Sequence, residues 1–308
     1  MCVEGTMVNR ILCAVALLAM APVALAATAV QKGFASPEEG ISALVEAVRA
    51  NDEPALRAVL GPRGGKLISS GDAVADQHRR EAFLKAYDDA NKLVHDGDAR
   101  VTLAIGRDEW PMPIPLVKSG GGWRFDTRKG EQEILARRIG RNELSAIQVC
   151  LAILDAEREY AALDVDGDGI PEYARKFVSA PGKRDGLYWP TQGDERQSPL
   201  GPLLAAATKE GYPGSNAGPL APYHGYFYKI LIRQGKHAPG GAYNYLVKGR
   251  MIGGIAVLAY PARYGASGVM SFAVNHDGVV YEKDLGKDTA SIASRVKAFD
   301  PDASWKRP

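Results

Sequence analysis

Three aspartates at alternating positions open the most chemically suggestive stretch of the chain, Asp164-Val165-Asp166-Gly167-Asp168-Gly169-Ile170-Pro171-Glu172. Carboxylates at the first, third and fifth positions and a glycine at the sixth are the order in which a Ca²⁺ loop wraps a hard cation in oxygen ligands. Glu172, at the ninth position, completes a candidate metal set with Asp164, Asp166 and Asp168. The twelfth position, where such a loop needs a bidentate Glu, is Arg175. The competing reading is an Asx-rich turn whose carboxylates accept from nearby backbone N–H groups. The expectation is no cofactor, with Ca²⁺ as the alternative.

A second constellation combines Tyr223-His224-Gly225-Tyr226 with Lys183, Asp185 and Trp189 on the loop Pro181–Pro190. His224 is a general base if Asp185 orients it, and Tyr226 is the third catalytic candidate. Tyr223, Tyr226, Trp189 and Lys183 form the candidate binding set. Against this stands a plain reading, a satisfied histidine on a strand edge. There is no Gly-x-Ser-x-Gly elbow, no His-Glu-x-x-His and no Cys pair, the signatures of common nucleophilic and zinc sites. Cys150, between Ile147 and Leu151 on a helical pattern, reads as a small buried hydrophobe in place of a nucleophile.

Which elements must position these residues follows from patterning. The first 26 residues set Arg10 before an apolar run, Ile11 to Met20, and close on Ala24-Leu25-Ala26. That is the form of a cleaved signal peptide, so the expected location is periplasmic or secreted after cleavage near Ala26, with no transmembrane helix in the mature protein. The balance of 38 basic and 36 acidic residues gives no electrostatic footprint for nucleic acid, which is excluded as a partner. At 308 residues with 46% hydrophobic content, two globular domains are expected.

Ser36-Pro37-Glu38-Glu39 opens a helix, with Ser36 as N-cap and Pro37 at the first helical position. A second short helix follows Pro54, and a third runs from about Asp76 to Leu93. The period then changes to two over 99–105, 113–118 and 122–126, separated by Gly-rich turns. Helices followed by an antiparallel meander make an α+β layer. Glu131 to Arg141 reads as a charged closing helix that Gly140 kinks or stops. A new helix starts from Asn142 as N-cap and runs to Leu163 with Leu144, Ile147, Leu151 and Leu154 on one stripe. Beyond the acidic turn come a short helix near Leu203 and a meander ending in the Asn275-His276-Asp277-Gly278 hairpin.

The order of helices and strands, with Ser-Pro-Glu-Glu at one end and Gly-Gly-Trp-Arg-Phe at the other, resembles the NTF2-like cone over residues 35–139, a fold whose curved sheet often encloses a pocket. Residues 140–308, a long helix, an aspartate-rich turn and a meander, are loosely similar to pilin-like domains, although no membrane-spanning half precedes the helix. Trp110-Pro111-Met112-Pro113-Ile114-Pro115-Leu116-Val117, Arg138-Ile139-Gly140-Arg141-Asn142-Glu143-Leu144 and the Tyr223 motif together resemble the exported bacterial family termed domain of unknown function 2950. That resemblance implies export and Gram-negative envelope residence, and no assigned activity. The leading expectation is a non-catalytic binding or scaffolding protein whose partners are envelope proteins or polymers. The alternatives are a periplasmic hydrolase built on His224 and a Ca²⁺-stapled adhesion or assembly module.

Overall fold

A computed structural model describes residues 30–193, 195–213 and 221–308. The expected signal segment, 1–26, lies outside the described residues. The fold is mixed α+β. Helices α1 (Pro37–Arg49), α2 (Glu53–Leu60), α3 (Gly65–Ile68) and α4 (Ala73–Asp89) come first. Strands β1 (Asn91–Asp96), β2 (Arg100–Ile105), β3 (Trp110–Pro111), β4 (Leu116–Ser119) and β5 (Gly122–Phe125) then form an antiparallel sheet in the order β1-β2-β4-β5, with β3 on β2. Helix starts follow local chemistry. Ser36 Oγ accepts from Glu39 N at 3.2 Å, and Asp52 and Asp72 cap α2 and α4 through Ala55 N and Ala75 N. Ile41, Leu44 and Val45 of α1 and Leu56, Val59 and Leu60 of α2 pack on Leu103, Ile105, Leu116 and Phe125 of the sheet.

The third helix is shorter than its pattern suggests. It ends at Asp89, and Leu93 belongs to β1, which pairs with β2 from Asn91↔Ile105 to Asp96↔Arg100. His95 lies on this strand, opposite Val101. The alternation that marks a strand is masked here because β1 is an edge strand exposed along nearly its whole length.

Helix α5 (Thr127–Ala162) is a single 36-residue element, about 54 Å long at the α-helical rise. The expected stop at Gly140 is absent: this glycine has no positive φ, and the helix runs through it. Asn142, expected as an N-cap, is buried mid-helix, where its Nδ2 donates to Ser267 O at 2.8 Å. Neighbouring Glu143 Oε1 accepts from Val269 N at 2.9 Å and Met270 N at 3.0 Å. Leu144 points outward at 69% exposure, leaving Val149, Ile153 and Leu154 to carry the core stripe.

After α6 (Gly201–Lys209) come β6 (Tyr226–Leu231), β7 (Arg233–Gln234), β8 (Tyr243–Asn244), β9 (Leu246–Val247), β10 (Arg250–Met251), β11 (Ala256–Pro261), β12 (Met270–Asn275), β13 (Val280–Asp284) and α7 (Thr289–Arg295). The main sheet here is antiparallel, in the order β13-β12-β11-β6. Its central strand reads Ala256-Val257-Leu258-Ala259 without alternation, and all four residues are buried. Both α5 and α7 pack against it. The buried apolar residues form two clusters, one spanning Phe34 to Phe125 with Ile134 against it, the other Ala146 to Phe299. Helix α5 feeds both.

Candidate functional site

Between the helices and the sheet of the N-terminal half lies a cavity of about 560 Å³, within the size range of small-molecule sites. Leu44 and Val48 of α1, Leu56 and Leu60 of α2, Phe83 and Ala86 of α4, Ile105 of β2, Met112 and Ile114 of the following segment, and Ile134 of α5 make its apolar wall. Trp110, 42% exposed, stands at its edge. The wall also carries Asp76, Arg79, Arg80 and Arg138. Asp76 Oδ2 accepts from Ser70 N at 2.8 Å, and its other oxygen pairs with Arg79. Arg80 donates to Ile68 O at 3.0 Å.

Arg138 is the unusual group. Only 5% exposed, it donates from Nη1 to Lys66 O at 2.6 Å and from Nη2 to Leu67 O at 2.8 Å, holding the carbonyls of α3. Its Nε has no partner. Among the described residues no carboxylate lies within ion-pairing distance of it. Burial first, and Arg79 beside it second, lower its pKa to about 10. The residues of this site escaped sequence reasoning, because an arginine in a charged helical stretch looks like any solvated one; only its position one turn beyond Ile134 hinted at an inward face.

The acidic turn brings Asp164, Asp166 and Asp168 together, with ligand-type oxygens within 4.8 Å of one another. Two local uses are plain: Asp164 accepts from Asp168 N (3.1 Å) and Gly169 N (3.0 Å), and Asp168 Oδ1 accepts from Ile170 N at 2.9 Å. These are the backbone caps of an Asx-rich turn. A cation also faces it. Arg250 of β10 pairs with Asp168, with Glu172 at 3.1 Å and with Asp166 at 3.3 Å. Arg250 and then the Ile170 N–H hold the Asp168 carboxyl below its ordinary range, while Asp168 and Glu172 push the guanidinium up.

The His224 constellation is not assembled as the sequence suggests. Tyr223-His224-Gly225-Tyr226 is a tight turn closed by Tyr223 N to Tyr226 O (2.9 Å) and Tyr226 N to Tyr223 O (3.1 Å), with φ of 50° at His224 and 79° at Gly225. Its anchor is Asp72, buried in the other half, which caps α4 and also accepts from Gly225 N (2.7 Å) and Tyr212 Oη (3.0 Å). Among the described residues the carboxylate nearest the His224 ring is that of Glu210, at 3.7 Å. Asp185 pairs instead with Lys176 at 2.6 Å and accepts from Ala180 N, and these hold its carboxyl low. Among the described residues no hydrogen bond or ion pair joins His224 to Asp185.

The remaining candidates are divided in the same way. Tyr226 is fully buried, donates to Met270 O at 2.9 Å, and has its phenol pushed up by burial and then by Glu143. Tyr223 rises to about 12, from burial first and Glu210 second. Trp189 is a core residue edge-on to Tyr160, with Arg184 over its ring at 5.5 Å. Lys183 lies in the turn closed by its N–H to Ala180 O. Cys150 is buried, which pushes its thiol up to about 12 and leaves little of the nucleophilic thiolate.

A family model described as Protein of unknown function (DUF2950) matches residues 31–307. The chain belongs to this family. No curated protein and no solved structure matches this family member. Among the described residues, no helix is long and apolar enough to cross a membrane.

Proposed function

We propose that this protein is a non-catalytic binding protein of the cell envelope whose N-terminal half, residues 35–139, holds a small apolar molecule. The observation that carries this reading is the cavity of about 560 Å³ walled by Leu, Ile, Val, Phe and Met side chains from five helices and the sheet. The pocket opens to solvent, and an apolar wall facing water is costly unless something covers it. Two of the stretches that carry the family resemblance, 110–117 and 138–144, contribute Trp110, Met112, Pro113, Ile114 and Arg138 to the wall. Envelope residence rests on the signal-like character of residues 1–26. In this reading residues 140–308 form the second module, which braces the binding half through α5.

The test is titration of the mature chain with a neutral apolar fluorophore, 1-aminoanthracene, whose emission rises on entering an apolar site. Saturable enhancement is expected for the wild type, and its loss in Ala86→Trp, which fills the cavity, with the circular dichroism of the fold retained. No enhancement in the wild type, or enhancement unchanged in Ala86→Trp, overturns the reading.

A further inference from the structure

Resting on the binding role just proposed, we infer that the ligand is a single-chain anionic amphiphile, a free carboxylate with a hydrocarbon tail, whose head group sits on the Arg138 guanidinium. The apolar wall is built for the tail. What selects the head is the charge at the wall: Arg79, Arg80 and Arg138 stand there against Asp76 and the exposed Asp108. Asp76 is committed to Ser70 N and Arg79, and Arg80 to Ile68 O and a long contact with Glu53 at 3.8 Å. Arg138 alone of the three is nearly fully buried and has only neutral carbonyls as partners, with Nε–H left over.

A buried guanidinium with no carboxylate in direct contact is costly, because the charge has left water and two carbonyl dipoles, with Asp76 farther off and shared with Arg79, return only part of its solvation. An anion entering the cavity supplies the missing countercharge beside a guanidinium that lines the wall, and a carboxylate that displaces the packing over the idle Nε–H also gives it a charge-assisted acceptor. Of the five N–H groups on the guanidinium two are bonded to carbonyls, which leaves donors for a carboxylate. A neutral molecule of the same shape fills the tail space and leaves the cost in place. Charge therefore decides between ligands that the apolar wall alone cannot distinguish.

Calorimetric titration of the mature chain with decanoate and with decanol separates these ideas. Decanoate is expected to bind about tenfold or more tightly than decanol, the worth of one charge-assisted hydrogen bond, with the preference lost in Arg138→Met. Because Arg138 also holds α3, that variant is accompanied by a wild-type measurement: the ¹⁵Nε–H resonance of Arg138 shifts on adding decanoate and stays in place with decanol. Equal affinity for the two compounds overturns the head-group assignment and leaves the apolar site standing. Binding of neither overturns both. A preference for decanoate that survives in folded Arg138→Met, or an Nε–H signal unmoved at decanoate saturation, removes Arg138 from the role.

Discussion

Glu157 is completely buried on α5, with Oε2 accepting from Ala174 N at 2.8 Å and Oε1 unpartnered. Burial holds its pKa well above the ordinary 4.5, the Ala174 bond offsetting this only in part. The folded protein keeps a proton that the unfolded chain releases above about pH 4.5. Glu157 thus contributes stability that is full below that pH and is lost as pH rises toward the folded-state pKa. Glu157→Gln, uncharged throughout, is expected to shrink the loss of unfolding free energy between pH 5 and pH 8. Urea titrations at the two pH values check it. Arg250 supports a prediction of a different kind. It supplies the positive charge facing Asp166, Asp168 and Glu172, so Arg250→Gln leaves those carboxylates mutually repelling. Its melting temperature is expected to fall and to be partly restored by millimolar Ca²⁺, with a smaller Ca²⁺ response in the wild type. Equal responses in the two proteins would show that Arg250 does not serve as the internal cation.

At the scale of elements, α5 decides the organisation of the chain. Glycine in a helix interior costs up to about 1 kcal/mol relative to alanine, and it caps a helix end where it takes the left-handed conformation itself. Gly140 does not take it. The i,i+4 pair Glu133–Arg137 (2.6 Å) supports the turn before it, and Asn142 and Glu143 tie the turn after it to residues 267–270. Nothing lies within 4 Å of a Cβ added at Gly140. Gly140→Ala is therefore expected to stabilise the protein by about 0.5–1 kcal/mol in chemical denaturation, whereas a real break at this position would make the same change neutral or harmful. Helix α4 shows how such elements are cross-linked. Its N-cap, Asp72, is also the acceptor that holds the Tyr223–Tyr226 turn, so one carboxylate starts the helix lining the cavity and positions the entry to β6.

For the whole molecule, two apolar clusters share one helix, and the bonds of Asp72, Asn142 and Glu143 run between distant segments. Cooperative unfolding of the two halves follows, because opening either one strips partners from α5. A variant keeping only Trp110 and Trp123, and another keeping only Trp189 and Trp305, are expected to give fluorescence-detected midpoints that each coincide with that variant's own far-ultraviolet circular dichroism. Midpoints separated in either protein would mean that α5 transmits little between the halves.

The sequence by itself determined what depends on near neighbours. The Ser36 helix start, the Asn275-Gly278 hairpin and the Asx caps within 164–170 each close over a few residues, where side-chain chemistry and φ preference suffice. The mixed α+β class and family membership were legible for the same reason, as runs of local pattern and motif. Only the tertiary structure decided which charge meets which. Arg250 reaches Asp168 across 82 residues, Arg138 reaches Lys66 across 72, and Gly225 reaches Asp72 across 153. Such pairs leave no periodicity behind, since the chain between them closes at an entropic cost that hardly depends on its sequence. A solvated arginine and a buried one are written with the same letter. The NTF2-like resemblance implied a pocket in residues 35–139, but its lining was illegible for a related reason: those residues read as ordinary core, and packing alone decides whether apolar side chains touch one another or surround a space.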